Sequence, residues 1–437
     1  MTSFSSAFPP PSPAPLLILS RSTHHQPIHH HSPSHVTHLH HDVLHPHGAH
    51  IAPRGPISEI LDAYHKLPPT PLNVNKWVRW SARPPEEIEM GSFIYLAREL
   101  PIRITQIMLY LYQLSPEVRE SSNYHTIVEN YHRTLLELQP FTEPVLGSVQ
   151  PESARSSEVL ELYRNSLRKI HRRHAGLVLQ LSSASLEWKE KDPEAFDHHK
   201  SMLNHLLDRI FLVRIGVRVL ISQHLALFLE PENYSRNDPT RAAGVFDSEC
   251  QPSVIVNDAV EDARFLAMQI YGDAPQARIV GSSQSLATQF PYIPSHLHHI
   301  VFELSKNAIR ATIENTHATQ RDTTSYPPIT IVLSKGDSDL TIKVSDVGGG
   351  ICRTNISKIF DYSFTTASRP TDALEADISH APLAGFGYGL PLSRQYARYL
   401  GGDVQVISMD GYGTDAYVYL KHVAADTIEC VPVDRME

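Results

Sequence analysis

The sequence predicts an α-helical bundle followed by an α+β domain, a single sheet with helices on one face. Three observations predict it. From about residue 55 to 235, apolar residues return every three to four positions, the spacing of helices that bury one face. At 329–344 and again at 404–420 the period drops to two, the spacing of half-buried strands. Among these strands lie glycine clusters at 348–350, 385–389 and 411–413, where the backbone must turn or approach something closely.

A chain of 437 residues is too long for one small core and long enough for two domains and a tail. Residues 1–50 hold 12 of the 27 histidines, many serines and prolines, and one acid, Asp42. Such a segment cannot bury enough apolar surface to fold alone. Its poverty in acids and richness in serine suit an organellar transit segment; its single arginine, Arg21, and its prolines suit a low-complexity tail. A net charge of -9 gives no reason to expect nucleic acid as a partner. Cys250, Cys352 and Cys430 are too scattered for a disulfide framework or a metal knuckle, as expected in a reducing compartment. The most apolar stretch, Ile210 to Leu229, carries Arg214, Arg218 and His224, so no membrane span is expected.

The elements follow in order. The helical bundle is expected over 51–240, with two marked stripes. The first runs through Tyr163, Leu167, Ile170, His174, Leu177, Leu181, Ala184 and Trp188, the second through Met202, Leu206, Ile210, Val213, Val217, Leu220 and Leu227. Each reads as one face of a long amphipathic helix. The α+β domain is expected over 255–430. It opens with a helix at about 255–271, and Pro291 and Pro294 precede a second at 297–314. Strands follow through Ile329, Ile331 and Leu333, then Leu340, Ile342 and Val344. Val404 and Val406 pair with Ala416, Val418 and Leu420 across the turn at Asp410-Gly-Tyr-Gly.

Three segments of the second domain carry chemistry. In Glu303-Leu-Ser-Lys-Asn-Ala-Ile-Arg-Ala311, a helix puts Glu303, Asn307, Arg310 and Glu314 on one face, with Leu304, Ala308 and Ala311 on the buried stripe beside it. A carboxylate and a carboxamide one turn apart suit a hydroxyl proton and a hard cation; alone they also read as a solvated polar face. In Val344-Ser-Asp-Val-Gly-Gly-Gly-Ile351, an acid at a strand end precedes a tight turn beside which a flat ligand fits. Asp346 can accept a hydrogen bond from an exocyclic amine, or cap its own backbone. In Gly385-Phe-Gly-Tyr-Gly-Leu-Pro-Leu-Ser-Arg394, glycines before a helix leave amide N–H groups free to grip phosphates. No Walker, HRD or DFG motif accompanies them.

In this order and spacing the segments resemble the asparagine box and glycine boxes of the Bergerat-fold (GHKL) ATPases. The wording is closest to the mitochondrial protein kinases, the pyruvate dehydrogenase kinases and the branched-chain α-ketoacid dehydrogenase kinase. Arg98-Glu-Leu-Pro-Ile-Arg103, Arg214-Ile-Gly-Val-Arg218, Phe364-Thr-Thr366 and Gln223-His224 extend the likeness over about 55–430. The resemblance implies an N-terminal helical bundle that docks a lipoyl domain and a C-terminal Bergerat α/β sandwich that binds ATP. It further implies that Asn307 holds Mg²⁺, that Asp346 reads the adenine amine, and that Gly348, Gly350 and Thr414 shape the base pocket. Gly385, Phe386, Gly387, Tyr388, Gly389 and Leu390 would carry the phosphate loop, Arg310, Thr365 and Thr366 would face the nucleotide, and 363–386 would form a lid. K⁺ would sit on the carbonyls of Ile359, Asp361 and Phe364.

By the same resemblance Glu303 is the general base and His174 tunes it, with His171 the neighbouring choice. On its own stripe His174 reads equally as a core histidine. The implied activity is phosphorylation of serine on the α subunit of a mitochondrial α-keto acid dehydrogenase in the matrix, by a homodimer. Pyruvate dehydrogenase is favoured by the ending Asp426-Thr-Ile-Glu-Cys-Val-Pro432, and the branched-chain enzyme by Gln289-Phe-Pro-Tyr-Ile-Pro294. An idle ATP-binding scaffold and a sensor histidine kinase are the other readings; the latter lacks an acidic or polar partner after His174.

Overall fold

The computed structural model describes residues 55–74, 85–146, 157–229, 242–319, 325–366, 387–421 and 428–432. The histidine-rich front, Gly385, Phe386 and residues 367–384 lie outside the described residues.

The first half is helical. α1 (Pro56–Tyr64), α2 (Pro85–Tyr112), the one-turn α3 (Pro116–Arg119), α4 (Ser122–Leu146), α5 (Ser157–Arg173), α6 (Leu177–Lys191) and α7 (Pro193–Leu229) follow in sequence. Proline opens α1 and α3, where its missing N–H costs nothing. Pro101 instead lies inside α2, where the carbonyl of Ala97 loses its intrahelical donor. The hydroxyl of Thr142 on α4 donates to that carbonyl at 3.2 Å.

The first stripe does not form one helix. The chain turns at His174–Gly176, and α5 and α6 each bury their share of it. A three-to-four spacing reads alike on both sides of a turn, so periodicity could not locate the break. The second stripe is one helix of 37 residues, although its first member, Met202, stays exposed. That helix is long and apolar enough to cross a membrane by composition alone, yet 67% of the window concerned is buried within the protein. Most of that apolar window is covered by the rest of the protein.

The second half starts with a short pair, β1 (Ala242–Ala243) and β2 (Phe246–Asp247). α8 (Pro252–Tyr271), β3 (Ala277–Gly281), α9 (Ser283–Leu286), α10 (Pro294–Ala318), β4 (Ile329–Lys335), β5 (Asp339–Ser345), α11 (Gly389–Tyr399), β6 (Asp403–Met409) and β7 (Gly413–Lys421) complete it. The sheet order is β3-β4-β5-β7-β6. β3 runs parallel to β4 and every other pair is antiparallel. Val404 faces Val418 and Val406 faces Ala416, the register the alternation predicts. Gly411, at φ 81°, makes the turn between them. β3, Ala-Arg-Ile-Val-Gly, shows no clear polar–apolar alternation, and neither of its faces is fully buried.

Both halves share one hydrophobic core. Phe211 of α7 packs 5.4 Å from Tyr362 and 5.9 Å from Tyr388, ring to ring, so the bundle reaches the glycine-rich chain. Residues 428–432 return to the helical half, where Ile428 bridges Asn73.

Candidate nucleotide and phosphotransfer site

The polar face of α10 opens on a cavity of about 780 Å³. Glu303, Asn307, Arg310 and Glu314 all line it, as their helical spacing requires, and the buried Leu304 and Ala308 add apolar lining beside them. The opposite wall is made of Asp346, Gly348–Gly350, Thr414 and Gly387–Leu390; Phe364, Thr365 and Thr366 also line the cavity. All the described residues that the sequence singled out for nucleotide binding therefore meet in one volume.

Glu303 is held from two sides. Lys306, one turn on, donates from Nζ to its Oε1 at 2.8 Å. A methyl group added at Gly389 would run into its Oε2, so the carboxylate lies against the first turn of α11. Burial pushes its pKa up, but Lys306 and His299 together outweigh burial and leave it below the usual carboxylate value. Glu303 is thus ionised at neutral pH, beside the helix start that has free N–H groups.

Asp346 accepts hydrogen bonds at Oδ1 from the backbone N–H of Gly348 (2.8 Å) and of Thr414 (3.3 Å). Burial nevertheless raises its pKa to about 6. The glycines beside it are required by contact. A Cβ at Gly348 would meet the backbone of α10 at Ala311, and one at Gly350 (φ 73°) would meet the carbonyl of Met409. The pocket floor is therefore two backbones in direct contact. Ser408 stiffens it, accepting from the N–H of Ile351 at 2.7 Å and pairing with the Thr414 hydroxyl at 3.0 Å.

Arg310 presents a guanidinium that is only loosely held, with its Nη1 3.7 Å from Glu314 Oε1 one turn on. Its Nη2 donates to Thr366 at 3.4 Å, whereas Nε and Nη1 are buried without a hydrogen-bond acceptor among the described residues. Such donors beside a cavity fit an anion. Tyr388 behaves differently from its neighbours: its main chain lines the cavity, but its hydroxyl points into the helical half and donates to Ser185 of α6 at 3.1 Å.

His174 makes no hydrogen bond or ion pair with Glu303. It is buried in the bundle, where its Nε2 bonds the Thr134 hydroxyl at 2.8 Å and its ring lies 4.2 Å from Tyr131. Burial and the cations Arg173, Arg214 and Arg218 lower its pKa to about 3, so it is neutral. It belongs, with His171, to a separate small cavity beside Arg214 and Arg218. The histidine coupled to Glu303 is His299, one turn before it on α10, which lines the main cavity with its Nε2 unpaired. Its position four residues ahead of the glutamate was the readable signal.

Asn307 lines the cavity, and its carboxamide makes no hydrogen bond among the described residues. No group of three or more His, Cys, Asp or Glu able to cage a metal exists among those residues. One free carboxamide fits Mg²⁺ that arrives with phosphates and keeps most of its water. For K⁺, the Asp361 carbonyl already accepts the N–H of Phe364 at 3.3 Å.

Two family models match the chain. Mitochondrial branched-chain alpha-ketoacid dehydrogenase kinase matches residues 71–247. Histidine kinase-, DNA gyrase B-, and HSP90-like ATPase matches residues 292–424. Human mitochondrial pyruvate dehydrogenase (acetyl-transferring) kinase isozyme 4 is 33% identical over 392 residues, 88% of each chain. The Drosophila melanogaster mitochondrial pyruvate dehydrogenase kinase is 33% identical over 86% of this chain and 87% of its own. Mouse isozyme 3 is 35% identical over the same shares.

Proposed function

This chain belongs to the family of the mitochondrial pyruvate dehydrogenase kinases, and on that premise we propose that it transfers the γ-phosphate of ATP to a serine on the α subunit of pyruvate dehydrogenase. The observation that carries the reading is the position of Glu303, ionised and pressed against the first turn of α11 in the same cavity as Asn307, Asp346 and the glycine-rich chain. Glu303 takes the hydroxyl proton of the incoming serine as the serine oxygen bonds to the γ-phosphorus. The bond from that phosphorus to the β,γ-bridging oxygen breaks, and ADP leaves with the electron pair. Lys306 keeps the carboxylate ionised and oriented. The N–H groups at Gly387–Leu390 grip phosphate oxygens, and Arg310 adds charge. Asp346 accepts from the adenine amine above the floor of Gly348 and Gly350. Mg²⁺, held by Asn307, neutralises phosphate charge when bound, and K⁺ at the carbonyls near Phe364 is a lesser part of the reading.

The partner is the dehydrogenase complex in the mitochondrial matrix, with the helical half docking a lipoyl domain. A homodimer through the sheet is supported by the exposed Ile407 and Met409 on the edge strand β6. The match of residues 71–247 to the branched-chain kinase model favours a second substrate reading, the branched-chain dehydrogenase α subunit.

The test is transfer of labelled γ-phosphate to both purified α subunits. Serine labelling of the pyruvate dehydrogenase subunit is expected, reduced about 10²–10⁴-fold by Glu303→Gln and abolished by Asn307→Ala. Labelling of the branched-chain subunit alone overturns the substrate, and full activity of Glu303→Gln overturns the mechanism.

A further inference from the structure

The chain on either side of residues 367–386 is not held by the sheet half alone. About one turn of α7, from Asn204 to Asp208, grips it. Asn204 accepts the N–H of Tyr362 at 3.0 Å and donates to Asp361 at 2.9 Å. One oxygen of Asp208, Oδ1, accepts from the Tyr362 hydroxyl at 2.8 Å and from Gln395 Nε2 at 2.5 Å. Tyr362 precedes the cavity-lining residues Phe364–Thr366 by two positions. Gln395 sits on α11, the helix whose first turn lines the cavity at Gly389. A single carboxylate oxygen in the helical half thus ties together the two chain segments between which a nucleotide's phosphates would lie.

The surroundings leave little slack. Tyr362 is 2% exposed, and its ring lies 4.9 Å from that of Tyr388, which is itself tied to Ser185. The next residue, Ser363, has a left-handed φ of 63°, uncommon for a side chain with a Cβ, and Lys189 of α6 donates to its carbonyl at 2.9 Å. A Cβ at Gly387 would clash with the backbone of Phe364, so the two segments touch directly. Their spacing is therefore set where Asp208 joins them.

We propose that Asp208 is a positioning residue for nucleotide binding, fixing the distance between Phe364–Thr366 and the start of α11 from a site in the helical half. The proposal rests on the cavity being the nucleotide site. It predicts that Asp208→Ala, which leaves a buried hydroxyl and a carboxamide without their acceptor, weakens ADP binding about tenfold or more in the full chain. Asp208→Asn keeps an acceptor oxygen at that position and restores affinity to within about twofold.

ADP titration calorimetry, with a circular-dichroism melt on the same samples, reads the effect per folded molecule. Folded Asp208→Ala binding ADP as wild type does overturns the proposal, as does an asparagine variant as weak as the alanine one. If the alanine variant does not fold, Tyr362→Phe removes one hydroxyl and keeps the ring. A several-fold loss of ADP affinity there supports the proposal, and unchanged affinity overturns it. Wild-type ADP binding without serine labelling would remove the kinase reading and leave this one to be decided by the affinities. Absence of wild-type ADP binding removes both.

Discussion

Asp346 shows what a single side chain contributes and what it costs. Burial holds its pKa at about 6, above the value near 3.9 of an unfolded aspartate. A raised carboxyl pKa favours the fold fully below the unfolded value, and the benefit is lost as pH rises through about 6. In the free protein at pH 7–8 the carboxylate is therefore a liability, tolerated for its acceptor oxygens. On the proposed reading the adenine amine needs the ionised form, so ADP binding should weaken as pH falls below about 6. Binding at pH 6 should also release a proton, seen as a buffer-dependent calorimetric heat. Asp346→Asn should remove that proton release, weaken binding at pH 8, and leave the melting temperature of the free protein at pH 8 no lower. A pH profile that is the same in wild type and variant would assign the titration to another group. Aspartate before a glycine turn was visible in the sequence; the burial that moves its pKa was not, because it comes from strands and helix far apart in the chain. A histidine on an apolar stripe carries no mark of which cavity it faces, whereas His299, Glu303 and Asn307 lie four apart on one helix and could be placed together by geometry alone.

At the scale of elements, period decided what could be read. α10 and the β6–β7 register follow from spacings of 3.6 and 2, because one face of each is buried against the rest of the domain. β3 escaped because both of its faces retain exposure, and the α5–α6 turn because a stripe does not reveal where its helix ends. The glycines are different: their spacing announced close approach without saying to what. The structure supplies the partner. Gly350 leans on the Met409–Asp410 backbone with a left-handed φ, so Gly350→Ala meets both steric overlap and backbone strain. It should lower stability by about 1–3 kcal/mol and widen the base pocket, costing more ADP affinity than stability. Gly272, also left-handed but with open space around it, is the control: Gly272→Ala carries the strain without the overlap and should leave ADP affinity unchanged. Equal affinity losses in the two variants, measured by titration, would show that the contact with β6 does not shape the pocket.

At the scale of the whole molecule, the return of residues 428–432 to the helical half is what closes the fold. Arg103, fully buried on α2, makes a two-pronged bond to Glu429, with Nη1 to Oε1 at 2.5 Å and Nη2 to Oε2 at 2.8 Å. Its Nε donates to Glu99 at 2.8 Å and its Nη2 also to the Thr70 carbonyl. Glu429 in turn accepts the N–H of Leu72 at 2.9 Å. α7 makes room for the pair by having Gly216 where any side chain would strike both partners. The motif Arg98-Glu-Leu-Pro-Ile-Arg103 was legible, but its partner 326 residues away was not, since nothing local marks a long-range ion pair. Buried pairs stabilise little relative to an apolar replacement, yet breaking one exposes an uncompensated charge to a dry interior. One cation here faces two carboxylates, so the order of damage is fixed. Arg103→Met strands Glu99 and Glu429 and should cost more than the roughly 3–5 kcal/mol typical of breaking a buried pair. Glu429→Gln leaves Arg103 paired with Glu99 and should cost less. Because the two halves share a core and this latch, urea should unfold the wild-type protein in one transition, reported alike by the buried Trp188 of the bundle and by loss of ADP binding in the sheet half. Arg103→Met should shift both probes together. If Trp188 unfolds first while ADP stays bound, the halves are independent and the latch joins nothing.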